Sequence, residues 1–340
     1  MKKFALAVVL LSVVVLSGIA VQSQSPLLTA QFGSMLALVF PERLTPEMLK
    51  AHYEQGRLRV LVVPGHDAGT GGTQFKGVFE RDINAAIGHY VAEYLAEDPR
   101  VQVHVAREED GELSPWFTSY LEKNEKEVLS FRERMVRLMA DALANGSFVK
   151  KEPVVHNTAP SRAALMLYAI NKYANDNDID VVLHLHVNDY AGRSEKKVGK
   201  YKGFAIYAPE VQLPNARVSR GLAQSIHKTL VNFIPESNYP KEGNGLVEDQ
   251  ELIAIGSNAS RDGVSLLIEY GYIYEPIFQK ESLRGMAVQE LAFQTAKGVR
   301  KYFRPNPKQD ELLSLDKEDH FEPEFSYEVV GEGQRSTSGI

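Results

Sequence analysis

The stretch Leu58-Arg-Val-Leu-Val-Val-Pro-Gly-His66 sets the frame for the chain. Its apolar, β-branched run stops at Pro64-Gly65, which reads as a buried strand ending in a loop, and His66 sits on that loop. From Asp82 the apolar positions Ile83, Ile87, Tyr90, Val91, Tyr94 and Leu95 recur at helical spacing until Asp98-Pro99 stops them. Val101, Val103 and Val105 then alternate as a strand does. Ser161 opens a helix to about Tyr173, followed by a buried strand from Val181 to His186. A further strand is expected over Gly203 to Ala208. Val218, Leu222, Leu230 and Phe233 mark a helix after it, Val264 to Ile268 a short buried strand, and Ser282 the start of a last helix reaching Phe303. Strands alternating with helices imply an α/β domain, three layers deep, with a mainly parallel central sheet covered on both faces. Ligands in such sheets usually sit at the carboxyl ends of strands.

Around this domain, expected over 58–304, the chain has three further parts. Met1-Lys2-Lys3 precedes an apolar run from Phe4 to about Val21, broken only by Ser12, Ser17 and Gly18. That is the layout of a secretory signal over 1–24. The run is nearly long enough to span a bilayer, so an uncleaved membrane anchor stays open beside the favoured cleaved signal; either one exports the remainder to the periplasm or cell surface. An adaptor segment follows over 25–57, where Thr45-Pro46-Glu47 opens a short helix that ends at Gly56. Between about 112 and 157 lies a charge-rich insertion whose Val128, Leu129, Phe131, Met135, Met139 and Leu143 fit one helix, expected as a cover for the mouth of a site. The tail over 305–340 is acidic, poor in large apolar residues and expected to be disordered.

At 340 residues and 44% hydrophobic content the chain can bury a large core. Its net charge of -6, with no strongly basic block, argues against nucleic acid as a partner. There is no cysteine, so disulfides, thiolate ligands and a cysteine nucleophile are excluded, and any metal must sit on His, Asp or Glu. The Gly69, Gly71 and Gly72 cluster lacks the Gly-Lys-Ser/Thr ending of a phosphate loop, and no Gly-x-Ser-x-Gly elbow supports a serine nucleophile.

Four polar residues fall where strands end or helices begin: His66, Glu80, His186 and Glu269. A hydrolytic zinc site needs three neutral-imidazole or carboxylate ligands and an open position for water. His66, Glu80 and His186 meet that need. A further, unligated carboxylate is wanted to take the water's proton, and Glu269 is placed for it. Taken singly, each has an ordinary reading: Glu80 as a first-turn acid favoured by the helix dipole, His186 as a hydrogen-bonded core histidine. His52, His89, His104, His156, His227 and His320 lack ligand-like partners and read as structural or solvated.

The local strings weigh on the choice. Leu-Val-Val-Pro-Gly-His66 with its Gly-rich loop, Gly77-Val-Phe-Glu80-Arg-Asp-Ile-Asn, Val-Leu-His-Leu-His186-Val-Asn188, and Leu-Leu-Ile-Glu269-Tyr-Gly-Tyr follow one another in that order. Together they resemble the zinc-dependent N-acetylmuramoyl-L-alanine amidases of the type 3 amidase family over roughly Leu58 to Phe303. The resemblance implies Zn2+ on His66, Glu80 and His186, Glu269 as general base, and peptidoglycan as substrate, cleaved between N-acetylmuramic acid and L-alanine; an activating partner is not readable. Three departures stand out. Val63 replaces a usual acid, Asp67 a usual Gly, and His184 a usual Ser two residues before His186 on the same strand face. His184 can compete as a ligand or orient the site, and Asn188 sets the register in favour of His186. These departures motivate one rival reading, a degenerate wall-binding or scaffolding protein; a zinc peptidase acting on the stem peptide is a third.

Overall fold

The computed structural model describes residues 40 and 42–304, apart from 68, 70, 153, 155–158, 191 and 195. The expected signal or anchor over 1–24 and the tail over 305–340 lie outside the described residues, as do His156 and His320. Among the described residues no helix is long and apolar enough to cross a membrane.

Helix α1 (Pro46–Glu54) starts where Thr45 accepts a hydrogen bond from the Met48 N–H and Pro46 presets the first turn. It leads into β1 (Leu58–Pro64), whose Leu58, Val60 and Val62 enter one apolar cluster while Leu61 and Val63 enter another on the opposite face. Burial on both faces is what a central parallel strand requires. A two-stranded hairpin, β2 (Gln74–Phe75) and β3 (Val78–Phe79), then delivers the chain to α2 (Glu80–Ala96). Ile83, Ile87, Val91 and Leu95 form the buried stripe of α2. Next come β4 (Val101–Val105), α3 (Pro115–Ala144), α4 (Ser161–Asp176) and β5 (Val181–Asn188). After them follow β6 (Ala205–Pro209), α5 (Ala216–Leu230), β7 (Leu246–Asp249), two single turns over 253–255 and 257–259, β8 (Val264–Tyr272), α6 (Pro276–Gln279) and α7 (Glu281–Phe303).

The six-stranded sheet has the order β4-β1-β5-β8-β6-β7. β4, β1, β5 and β8 are parallel, while β6 runs against β8 and pairs in parallel with β7. The reversal has a simple cause. No helix crosses between β5 and β6, and without a crossover a strand returns in the opposite direction. Helices α2, α5 and α7 cover one face, and α4 with α3 the other, which makes the three-layer α/β/α arrangement.

The insertion is where expectation and structure part. Its helix begins at Pro115, well before Val128, and buries Phe117, Val128, Phe131, Met139 and Ala142. These residues pack on α4 and the 257–259 turn, with Met139, Ala142 and Phe148 meeting Phe40 and Leu213. The helix therefore thickens a flank of the sheet instead of roofing the strand ends. Burial of that face predicts that Phe131→Ala lowers unfolding free energy by roughly 3 kcal/mol. Leu129, which keeps 38% of its surface exposed, should change it by no more than about 0.5 kcal/mol when cut to Ala. Denaturant unfolding of both variants is the measurement; equal effects would mean that the helix packs by another face.

Candidate metal and catalytic centre

The parallel register brings β1, β5 and β8 to one edge, and their ends carry the site. His66 follows β1 after Gly65, while His186 and Glu269 are register partners on the neighbouring strands β5 and β8. Glu80 is the first residue of α2 and comes in from the hairpin, its own N–H bonded to the Thr73 carbonyl at 2.9 Å. The positive end of the helix favours a carboxylate at that position.

Glu80 is nearly inaccessible, yet all its contacts are donors. Oε1 lies 3.0 Å from His186 Nδ1 and 3.3 Å from His66 Nε2. The same oxygen accepts from Asn84 Nδ2 at 3.2 Å and from the Val187 N–H at 3.3 Å, while Oε2 accepts from the Thr73 N–H at 2.8 Å. Burial alone would raise the pKa of this carboxyl, but the hydrogen bonds and charge of His186 and His66 outweigh it and hold the group below the ordinary range. Burial also pulls His66 down, against which Glu80 raises it overall; at His186 the same contest ends on the lowered side.

Among the described residues His66, Glu80 and His186 are the one group able to offer three ligand atoms, all within 4.8 Å of one another. Tetrahedral ligands about 2.0–2.1 Å from zinc stand roughly 3.3 Å apart. The 3.0 and 3.3 Å separations from Glu80 match that spacing, and two imidazoles with a carboxylate are a donor set zinc accepts. The fit is reinforced by how tightly backbone approaches. A Cβ at Gly65 would lie 2.3 Å from the His186 ring, and one at Gly72, where φ is +67°, would lie 2.5 Å from Glu80 Oε2. His66 itself takes a left-handed φ of 66°, a conformation costing a non-glycine residue about 1–2 kcal/mol.

His184 stands apart from this cluster. It is buried on the same face as His186, its Nε2 has no hydrogen-bond partner, and burial with the nearby charge of His186 pushes its pKa down to about 3. It is a neutral core imidazole one layer beneath the three converging groups. The other unusual residue, Asp67, is buried 3.8 Å from Arg107 Nη1, and Arg107 Nε donates to the Pro64 carbonyl at 2.6 Å. This pair braces the turn that aims His66. Elsewhere His52 meets Asp180 at 2.6 Å, His89 the Arg107 carbonyl at 3.1 Å and His227 Glu236 at 2.8 Å, while His104 lies against Trp116.

Glu269 contrasts with Glu80 in its partners. Its Oε2 is buried without a hydrogen-bond partner, and burial, followed by the negative charge of Glu80 and Glu242, pushes its pKa well above the carboxylate norm. Glu242 was not legible beforehand. It is buried among donors from Asn188 at 3.0 Å, Tyr207 at 2.8 Å, Tyr272 at 3.1 Å and Ser237. Asn84 carried a signal in its four-residue spacing from Glu80 on one helix face; it also donates to the Gly65 carbonyl at 3.2 Å.

Compared with known proteins, residues 60–301 match the family model Amidase_3, N-acetylmuramoyl-L-alanine amidase. The chain belongs to that family. Such amidases act on peptidoglycan, and that is the reaction assigned to this one. Comparison with curated proteins gives no match. Among solved structures, the amidase from Clostridium difficile 630 is 17% identical with a TM-score of 0.45, covering 73% of this chain and 97% of that one. Ami1 from Mycobacterium smegmatis is 13% identical with a TM-score of 0.48, covering 73% and 98%. The CwlD amidase from Clostridioides difficile, in complex with the GerS lipoprotein, is 16% identical with a TM-score of 0.48, covering 73% and 100%.

The amidase should reveal its unpaired acid in its pH-dependence. The pKa of Glu269 is raised on folding, so the stability linked to it is full below the unfolded carboxylate value and is lost as pH rises through the folded one. Glu80, shifted the other way, loses its contribution only as pH falls below the ordinary carboxylate range. In metal-free protein, the thermal midpoint of the wild type should therefore fall relative to Glu269→Gln as pH is taken from about 5 to 8. Parallel curves would mean that Glu269 is not forced to ionise at a cost.

Proposed function

We propose that this amidase uses a zinc ion held by His66, Glu80 and His186, with Glu269 as the general base, to cleave the bond between N-acetylmuramic acid and L-alanine. The observation that carries the reading is the pairing of a three-donor cluster with a partnerless carboxylate, His186 and Glu269 being register neighbours on β5 and β8. When bound, zinc supplies Lewis acidity, polarising an amide carbonyl and acidifying water toward a pKa of about 7. Glu80 keeps its negative charge at any working pH, and the low pKa of His186 favours the neutral imidazole that ligation needs.

Glu269 has the complementary task. An oxygen of its carboxylate accepts a proton from the attacking water as the water oxygen bonds to the carbonyl carbon. The same oxygen then returns the proton to the L-alanine nitrogen as the carbon–nitrogen bond breaks. A raised pKa suits a group that must both take and release a proton near neutrality. Asp67 and His184 do not argue for a degenerate site, since one braces the His66 turn and the other lies beneath the cluster. Export fits a substrate outside the inner membrane, and the basic start and apolar run over 1–21 support it.

Glu269→Gln should keep zinc content at the wild-type level while lowering kcat on peptidoglycan by about 10²–10⁴-fold. His186→Ala should lose the metal. Mass spectrometry of the wild-type digest should find intact glycan strands and stem peptides with free L-alanine amino ends. Wild-type rates in Glu269→Gln, or fragments cut within the stem, would overturn the assignment.

A further inference from the structure

The family strings leave Asp189 and Arg193, on the loop that follows β5, without a task. Arg193 is held closely, its side chain only 2% exposed. Its Nε and Nη2 meet the two carboxylate oxygens of Asp189, each at 2.6 Å, in the two-pronged geometry that fixes a carboxylate in plane. The remaining guanidinium N–H groups donate to the Ser194, Lys197 and Gln74 carbonyls at 2.9, 2.8 and 3.4 Å, and its plane lies over Phe75 and Tyr274 at 5.3 and 5.2 Å. The loop after β5 is thereby fastened to the β2–β3 hairpin.

What this fastening reaches is Glu80. Asp189 Oδ2 accepts from Thr73 Oγ1 at 2.8 Å, and the Thr73 N–H donates at 2.8 Å to Glu80 Oε2. Thr73 also accepts the Glu80 N–H through its carbonyl at 2.9 Å. One residue is thus tied on three sides, by its hydroxyl to the Asp189–Arg193 pair and by both backbone groups to Glu80. A carboxylate free to turn could present either oxygen, or both, to a cation. Here Oε2 is claimed by a backbone amide that cannot move unless Thr73 moves.

We propose that Arg193, Asp189 and Thr73 are positioning residues that hold Glu80 with Oε1 alone facing His66 and His186, so that it enters the cluster as a one-oxygen ligand. This rests on the reading of that cluster as a zinc site. Partners that orient a ligand in this way typically account for about ten- to hundredfold in metal affinity. None of the three touches substrate in this role, so the effect should appear in metal binding before any turnover.

The test is chelator competition for zinc on the full chain, beside thermal unfolding of the metal-free protein and the visible spectrum of the cobalt-substituted form. Thr73→Val keeps the backbone amide and removes only the hydroxyl tie; Asp189→Ala removes the tie and the ion pair together. Both should weaken zinc binding by about tenfold or more and alter the cobalt spectrum, while Thr73→Ser retains the wild-type affinity. Should Asp189→Ala fail to fold, Thr73→Val, which leaves the ion pair in place, decides alone. Unchanged affinity in a folded Thr73→Val protein overturns the proposal, as does a loss in Thr73→Ser equal to that in Thr73→Val, which would mark a packing effect. If the wild type itself binds no zinc, the zinc reading of the site fails first, and the positioning role falls with it.

Discussion

A buried carboxylate surrounded only by donors is the constraint around which this structure is arranged. Removing Glu80 from water carries a penalty of several kcal/mol unless its lone pairs are satisfied. Two imidazoles, an asparagine side chain and two backbone amides satisfy them. These donors come from four places: β5, which supplies two, the loop after β1, helix α2 itself and the residue leading into the hairpin. The carboxylate therefore serves as the joint at which the sheet edge, the first long helix and the hairpin are registered against one another. Glycines 65 and 72 allow that joint to close, because a side-chain carbon at either would occupy the place of His186 or Glu80.

The site also carries departures from an easy fold. His66 takes a left-handed backbone, His184 Nε2 and Glu269 Oε2 are buried without partners, and a second acid, Glu242, adds negative charge beside Glu269. Such departures cluster where function, not stability, sets the requirement. The surrounding layers offset them with an apolar core on both sheet faces and with buried braces such as the Asp67–Arg107 and Asp189–Arg193 pairs.

Much of this was readable because it is local. The runs at Leu58, Val181 and Val264 announce strands buried on both faces, and a residue at or just past the end of each is aimed at the site. His66, Glu80, His186 and Glu269 could thus be named from short strings, each attached to an element whose end fixes its direction. What escaped is either too short or too distant. β2 and β3 have two residues each, and β7 ends in Glu248-Asp249, so none shows an apolar period. The helix of the insertion was recognised from Val128 onward, but its earlier turns mix Trp116, Phe117 and Tyr120 with charge. Its packing against α4 depends on contacts that no local pattern encodes. The pairs Thr73 with Asp189 and Asn188 with Glu242 join residues 116 and 54 positions apart, and only the sheet, with its parallel β1–β5 pairing and its reversed β6, makes them neighbours.

The central claim is that two imidazoles and one carboxylate from three separate elements close on a single ion. X-ray absorption at the zinc edge of the zinc-loaded protein measures that directly. The structure predicts a shell with two histidine nitrogens and a Glu80 oxygen among ligands about 2.0–2.1 Å from the metal, losing its carboxylate contribution in Glu80→Ala. A shell with fewer than two imidazoles, or one that Glu80→Ala leaves unchanged, would contradict it.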